Sequence, residues 1–230
     1  MIKENLGRKL AIGDIHGCLK ALKTLEEFAG FCESDTIIAL GDYIDRGSDS
    51  KGVMDWMIAA REKYNLITLL GNHEEMMAES RLCAEAYYFW TMNGGDQTLS
   101  SFGSSIGGIP DEYWEFIKSC KLFYETDDHI FVHAGLDPML PPEEQETDIM
   151  CWLRFRDLKP HVSNKTIICG HTPQRGNTDG MLPHAICIDT YAFNHSGYLT
   201  CLDVESGEYW QANNNGETHK HSLEIIKQPI

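Results

Sequence analysis

The chain has 230 residues, 42% of them hydrophobic and 23% charged, with 35 acidic against 19 basic side chains and a net charge of -16. This is ordinary for a globular α/β protein with an ample core, and it argues against a nucleic-acid surface, which needs clustered Lys and Arg. No apolar run approaches the ~20 residues that span a bilayer, the opening MIKENLGRKL lacks a signal-peptide core, and eight cysteines without a Cys-x-x-Cys pair read as small buried hydrophobes of a cytoplasmic protein.

The first apolar run, residues 9–12, ends in Gly13-Asp14-Ile15-His16-Gly17. A second, residues 36–40, ends in Gly41-Asp42-Tyr43-Ile44-Asp45-Arg46-Gly47, and a third, residues 66–70, in Gly71-Asn72-His73-Glu74. Short apolar runs bounded by Gly predict buried parallel strands. Between them Leu19, Leu22, Leu25 and Phe28, and then Val53, Met57 and Ala60, predict core-facing helices. In such a β-loop-α repeat, ligands bind beyond the carboxyl ends of the strands. Asp14, His16, Asp42, Asp45, Arg46, Asn72 and His73 are therefore expected on one rim.

Residues 74–88 read as a helix with Met76, Met77, Leu82 and Ala86 available for packing. Tyr87-Tyr88-Phe89-Trp90 and Asn93-Gly94-Gly95 then interrupt the rhythm. Residues 79–125 are expected to form a helical insertion over the rim, within one domain spanning 1–230. Gly103, Gly107, Gly108 and Pro110 mark turns there, and residues 111–120 read as helix again. Strand-like runs return at 128–132, 166–169, 185–188, 198–204 and 208–212. Close spacing of the last three, with Glu205-Ser206-Gly207 as a turn, predicts antiparallel neighbours. Residues 213–230 read as a docked or partly disordered tail.

Two of the later runs end in histidine, Phe131-Val132-His133-Ala134-Gly135 and Cys169-Gly170-His171-Thr172-Pro173. Carboxylates, an Asn carbonyl and imidazoles are ligands for a hard-to-borderline divalent cation, and converging carboxylates repel unless a cation lies between them. The expected arrangement has one metal on Asp14, His16 and Asp42, and a second on Asp42, Asn72, His133 and His171, with Asp42 bridging. Such a pair, ~3.5–4 Å apart, lowers the pKa of a shared water from roughly 15.7 to about 7 and so supplies a hydroxide for direct attack. Arg46 matches phosphate oxygens bidentately. His73 is placed to protonate the leaving oxygen, with Asp45 orienting it and raising its pKa. A second cation is expected from Cys151-Trp152-Leu153-Arg154-Phe155-Arg156, where spacing leaves Arg154 and Arg156 both open. A ligand set without thiolate admits Mn²⁺, Fe or Zn²⁺. The histidines at 129, 161, 184, 195, 219 and 221 have no comparable context and read as structural or exposed.

Taken together and in order, GDIHG (13–17), GDYIDRG (41–47), GNHE (71–74), HAGL (133–136) and GHTP (170–173) resemble the phosphoprotein phosphatase branch of the calcineurin-like metallophosphoesterases. The resemblance runs from residue 10 to about 204 and is close to small bacterial and phage serine/threonine protein phosphatases. It implies an α/β sandwich of two mixed β-sheets flanked by helices, a helical cap insertion, and two divalent metal ions, Mn²⁺ being the expected metal in vitro. It implies the same ligand set, His73 and Asp45 as the acid pair, Arg46 as a phosphate ligand, and Arg154 as the match to the second family arginine. Residues 87–98 are similar to the insertion of the bacterial members. The implied substrate is a phosphorylated protein or small phosphoester, with no membrane partner.

One departure concerns Ile188-Asp189-Thr190-Tyr191, where many bacterial relatives have Ile-Asp-Thr-Gly. Tyr191 is expected to narrow the site or to touch substrate beside Asn72 and the arginines; Asp189 reads as a structural loop residue. The alternative reading is a symmetrical diadenosine tetraphosphate hydrolase. Those enzymes tend to carry Ala-Arg-Gly and Asn-His-Asp where this chain has Asp45-Arg46-Gly47 and Asn72-His73-Glu74. A catalytically dead phosphate-binding scaffold would lack a ligand, and none is missing.

Overall fold

The computed structural model describes residues 7–103, 105–174 and 180–223. Strands β1 (Lys9–Ile12), β2 (Thr36–Ala39) and β3 (Asn65–Thr68) pair in parallel, connected by helices α1 (Leu19–Ala29) and α2 (Ser50–Lys63). Parallel neighbours need crossovers of this length. Helix α1 buries Ala21, Leu22, Leu25 and Ala29, whereas Phe28 is 40% exposed. A strict three-residue spacing slips about 60° per step on an α-helix, so the predicted stripe runs off the core face at Phe28.

Arg8, just before β1, clamps α1 to the start of β2. Its guanidinium donates to Asp35 from Nε (3.1 Å) and Nη2 (2.6 Å) and to the Ala29 and Gly30 carbonyls. Burial alone would push the Asp35 carboxyl up, but the bonds from Arg8 and the Cys32 N–H outweigh it and hold it below its ordinary value. The unfolded chain therefore binds this proton more readily. The stabilisation is complete above about pH 4 and drains away as pH falls through the depressed folded value. Asp35→Asn is expected to cost about 1–3 kcal/mol in urea titrations at pH 7 and to differ less from the parent at pH 3.

The single helix expected over 74–88 is two. Helix α3 (Asn72–Glu79) closes where the Ser80 hydroxyl donates back to the Met77 carbonyl at 2.6 Å, a local bond that competes with helix continuation. Helix α4 (Ala84–Trp90) then starts afresh, with the Cys83 sulfur accepting the Ala86 N–H. Met76 and Met77 pack in the core; Leu82, in the turn, is 80% exposed. At Asn93-Gly94-Gly95 the chain kinks: Gly94 has non-helical backbone angles (φ 108°, ψ 6°), and α5 (Asp96–Ser101) starts directly after the kink. Helix α6 (Asp111–Lys118) follows.

The remaining strands are β4 (Phe123–Glu125), β5 (His129–Val132), β6 (Thr166–Cys169), β7 (Met181–Leu182), β8 (Ala185–Cys187), β9 (Leu199–Asp203), β10 (Glu208–Ala212) and β11 (Thr218–Ser222), with α7 (Thr147–Trp152) between β5 and β6. They complete two mixed sheets, ordered β11-β10-β9-β1-β2-β3 and β4-β5-β6-β8-β7. Alternate residues face the space between the sheets, where Ala11, Ile38, Leu40, Phe131, Ile168 and Leu202 meet. Leu10, Ile12, Ile37 and Ala39 face α1 and α2 instead. Burial on both faces is why these strands read as unbroken apolar runs.

Close spacing misplaced β8. It pairs in parallel with β6 (Cys169↔Cys187), while β9 and β10 form the antiparallel pair, and β9 lies beside β1 in the other sheet. The segment 188–198 is long enough to cross between sheets, which spacing does not distinguish from a return within one. In the tail, residues 218–222 add an edge strand to β10, and 224–230 lie outside the described residues. Cys32 and Cys83 are exposed, not buried as expected; five of the eight cysteines are buried.

Candidate active site

The loops after β1, β2, β3, β5 and β6 carry Asp14, Asp42, Asn72, His133 and His171. Seven described non-glycine residues have positive φ: His16, Asp42, Asp45, Arg46, Asn164, His171 and Tyr191. All but Asn164 belong to the expected site. The left-handed region costs an L-residue about 1–2 kcal/mol, and such strain concentrates where surrounding structure holds a side chain in a required direction. The holding groups are visible. The Ile15 and His16 N–H groups both donate to the Asp42 carbonyl (3.0 and 2.8 Å), and the His171 N–H donates to Asp14 Oδ2 at 3.0 Å. Gly170 has no room for a side chain, because a Cβ there would stand 2.0 Å from Asp14 Oδ1.

A cation fits the residues thus gathered. His16 Nδ1 meets the Ile44 carbonyl at 2.9 Å and His133 Nδ1 the Leu40 carbonyl at 2.8 Å. A carbonyl only accepts, so both nitrogens carry the proton and each Nε2 presents a lone pair, the usual support for a metal-binding histidine. That leaves His133 Nε2 facing Asn72 Oδ1 at 3.0 Å, two acceptors with no hydrogen between them. His171 Nε2 is buried with no hydrogen-bond partner. Burial lowers the His16, His133 and His171 pKa values, His171 to about 3, which keeps the imidazoles neutral. Burial and the charges of Asp189 and Asp42 push Asp14 well above its ordinary value. Each of these frustrations is relieved by positive charge among the donors.

Among the described residues, His, Cys, Asp and Glu ligand atoms within 4.8 Å of one another form two groups, His16–Asp42–His73 and Asp14–Asp42–His133. Asp42 is common to both, the position a bridging ligand occupies. The grouping differs from the sequence partition in bringing His73 close. Its Nε2 lies 3.8 Å from Asp42 Oδ2, farther than His16 and His133, whose Nε2 atoms stand 3.4 Å from the carboxylate.

His73 and Asp45 form a fully buried pair, Nδ1 to Oδ2 at 2.6 Å. Burial pushes the Asp45 carboxyl up, against the donors that surround it. Beside the pair, Asp42, Arg46, Asn72, Trp152, Arg154, His171 and Tyr191 line a cavity of about 320 Å³. Arg154 is thus the arginine that reaches the site; the Arg156 side chain is 84% exposed and pairs with Asp157. The Tyr191 backbone sits at φ 65°, the conformation glycine adopts without strain, so this chain places an aromatic ring where a glycine would be relaxed. That ring packs edge-on against Phe193 (4.7 Å), which lies under the Arg46 guanidinium at 4.9 Å. Asp189 accepts the Tyr191 N–H at 3.0 Å, fixing that loop.

Several residues around the site had no role in the sequence reading. Glu74, quoted only as the end of a motif, accepts four backbone N–H groups of the two neighbouring loops. Phe193 carries no periodic or motif signal. Trp90 and Thr98 were visible only as parts of the insertion, yet both donate to Asp45.

A sequence profile of the calcineurin-like phosphoesterases matches residues 7–200. Serine/threonine-protein phosphatase 1 of Salmonella typhimurium is 40% identical over 210 residues, 84% of this chain and 90% of that one. A symmetrical bis(5'-nucleosyl)-tetraphosphatase of Methylobacillus flagellatus is 31% identical over 135 residues, 58% of this chain and 45% of that one. Among solved structures, the cold-active protein-tyrosine phosphatase of a psychrophilic Shewanella matches with a TM-score of 0.64 at 17% identity, over 94% of this chain and 80% of that one. A protein serine/threonine phosphatase of Saccharomyces cerevisiae matches with 0.63 at 16% identity, over 99% and 83%. At those identities the likeness is one of fold, the two-sheet sandwich described above. The family profile spans most of the chain and its motif residues converge on one buried donor cluster: the chain belongs to the calcineurin-like phosphoesterases, hydrolases built around a dinuclear divalent-metal site.

Proposed function

We propose that this protein is a cytoplasmic serine/threonine protein phosphatase, a single domain over residues 1–230 that hydrolyses phosphomonoesters. The observation that carries the reading is the buried His73–Asp45 pair at 2.6 Å beside a cavity lined by both arginines and Asp42. The Salmonella phosphatase, similar over most of both chains, supports the protein substrate.

Asp14, His16 and Asp42 would hold one metal, and Asp42, Asn72, His133 and His171 the other, as Mn²⁺, Fe or Zn²⁺. When bound, the cations neutralise the carboxylates and acidify water into a nucleophile at neutral pH. Arg46 and Arg154 grip the phosphate oxygens, whose charge their guanidinium forks match. Phe193 holds Arg46 from below, and Tyr191 narrows the entrance. A serine or threonine alkoxide leaves poorly, so a proton must reach it. His73 Nε2 delivers that proton while Asp45 holds Nδ1.

In Mn²⁺-reconstituted protein a phosphoserine peptide is expected to turn over faster than diadenosine tetraphosphate. The reverse order would move the assignment to dinucleotide hydrolysis, the reading that the Methylobacillus similarity favours. His73→Asn is expected to keep the metal content and slow phosphopeptide turnover by about 10²–10⁴-fold, with a much smaller effect on 2,4-dinitrophenyl phosphate. Metal loss in that variant would make His73 a ligand.

A further inference from the structure

The Asp45 carboxylate meets three side-chain donors: His73 Nδ1 at 2.6 Å, Trp90 Nε1 at 2.9 Å and the Thr98 hydroxyl at 2.6 Å. Two of the three come from the insertion, about fifty residues farther along the chain. Thr98 works in both directions, since its oxygen also accepts the Asp45 N–H at 2.9 Å. Trp90 and Thr98 are fully buried, though α4 and α5 otherwise expose most of their side chains. The insertion also holds the next residue: the Arg46 N–H donates to the Gly94 carbonyl at 3.2 Å.

The kink at Gly94 makes this alignment. Trp90, Gly94 and Thr98 recur every four residues, which on an α-helix rotates each contact about 40° past the last. The kink at the non-helical Gly94, between Trp90 and Thr98, interrupts that regular rotation and lets all three contacts face the same loop. Gly94, at φ 108°, sits so close that a Cβ would stand 2.8 Å from Arg46 Cγ and 2.9 Å from its backbone nitrogen.

We propose that Trp90 and Thr98 are positioning residues for proton delivery: the insertion fixes the orientation of Asp45, and through it the aim of His73 at the leaving oxygen. This rests on the reading of His73 as the acid. A carboxylate with three fixed donors cannot rotate, so the imidazole it binds keeps its ring plane when substrate enters. Without Thr98 or Trp90 the carboxylate has freedom that the imidazole inherits. The loss falls on substrates that need the proton and spares those that do not.

The test compares a phosphoserine peptide with 2,4-dinitrophenyl phosphate, whose leaving group departs unprotonated, in Mn²⁺-loaded protein. Thr98→Val and Trp90→Phe are each expected to lower peptide kcat about tenfold and dinitrophenyl phosphate kcat less than about threefold. Peptide KM and metal content are expected to stay near parental values, and Thr98→Ser to restore the peptide rate. Equal losses on both substrates, or none on either, would overturn the inference. If Thr98→Val does not fold, Trp90→Phe reports on the same carboxylate from its other side. His73→Asn run in parallel separates the two levels. A leaving-group-independent His73→Asn removes the acid assignment itself, whereas a leaving-group-dependent His73→Asn beside indifferent Thr98 and Trp90 variants removes only the role of the insertion.

Discussion

Asp42→Asn is expected to lower phosphatase turnover by about 10³-fold or more and to bring bound Mn²⁺ well below two per chain, read by elemental analysis after reconstitution. The carboxylate is the one donor common to both ligand groups, with His133 Nε2 and His16 Nε2 each at 3.4 Å, on Oδ1 and Oδ2 respectively. Asparagine has nearly the same shape, and the Asp42 backbone bonds to Ile15, His16 and Glu74 are main-chain atoms that it retains. What it removes is the negative charge that would serve both cations, and it turns one carboxylate oxygen into an N–H₂ donor facing the neighbouring imidazoles. A variant with full metal content and activity within tenfold of the parent would remove Asp42 from the bridging position.

Glu74→Gln is expected to cost about 3–5 kcal/mol in denaturant unfolding, a large share of the 5–15 kcal/mol that a domain has in total. Glu74 is fully buried. Its Oε2 accepts from the N–H groups of Asp42 (2.8 Å) and Gly71 (3.1 Å), and its Oε1 from those of Tyr43 (2.8 Å) and Ile44 (3.3 Å). Burial and the charge of Asp42 push this carboxyl up, while all four partners are donors, the environment of an ionised carboxylate. Glutamine conserves the volume, so no cavity forms, but its amide nitrogen turns a donor toward two N–H groups that lose their acceptor. Each buried orphan costs about 1–3 kcal/mol. The same change loosens the loop that carries Asp42, so activity is expected to fall with stability. A loss under about 1 kcal/mol, outside the range for two buried orphans, would show that the loops do not depend on this carboxylate.

The ligand types were legible because each sits where an apolar run stops, at a glycine in every case but His133, and the end of a parallel strand is where an α/β sheet presents its ligands. The β1, β2, β5 and β6 runs, the helices α1 and α2, and the Asp, Asn and His at the loop starts follow from local pattern alone. Phe28 and Leu82 show the limit of that pattern: counting residues along a helix does not reveal where it drifts off the core or ends at a Ser80 hydroxyl. The position of β8 needed three dimensions, and so, for spacing alone, did the choice of Arg154 over Arg156, since neighbours in sequence point to opposite surroundings.

The sequence by itself determined the chemistry on offer: which residues can bind metal, carry a phosphate or pass a proton, and in which loops they stand. Only the tertiary structure decided how those groups are held, because their supports come from distant parts of the chain that no period or motif links to them. Glu74 is tied to the loop of Asp42, Phe193 to Arg46, and Trp90 and Thr98 to Asp45. Hydrogen bonds and ring contacts act over a few ångströms of space whatever the separation along the chain, so they exist only once both sheets and the insertion have closed on one another.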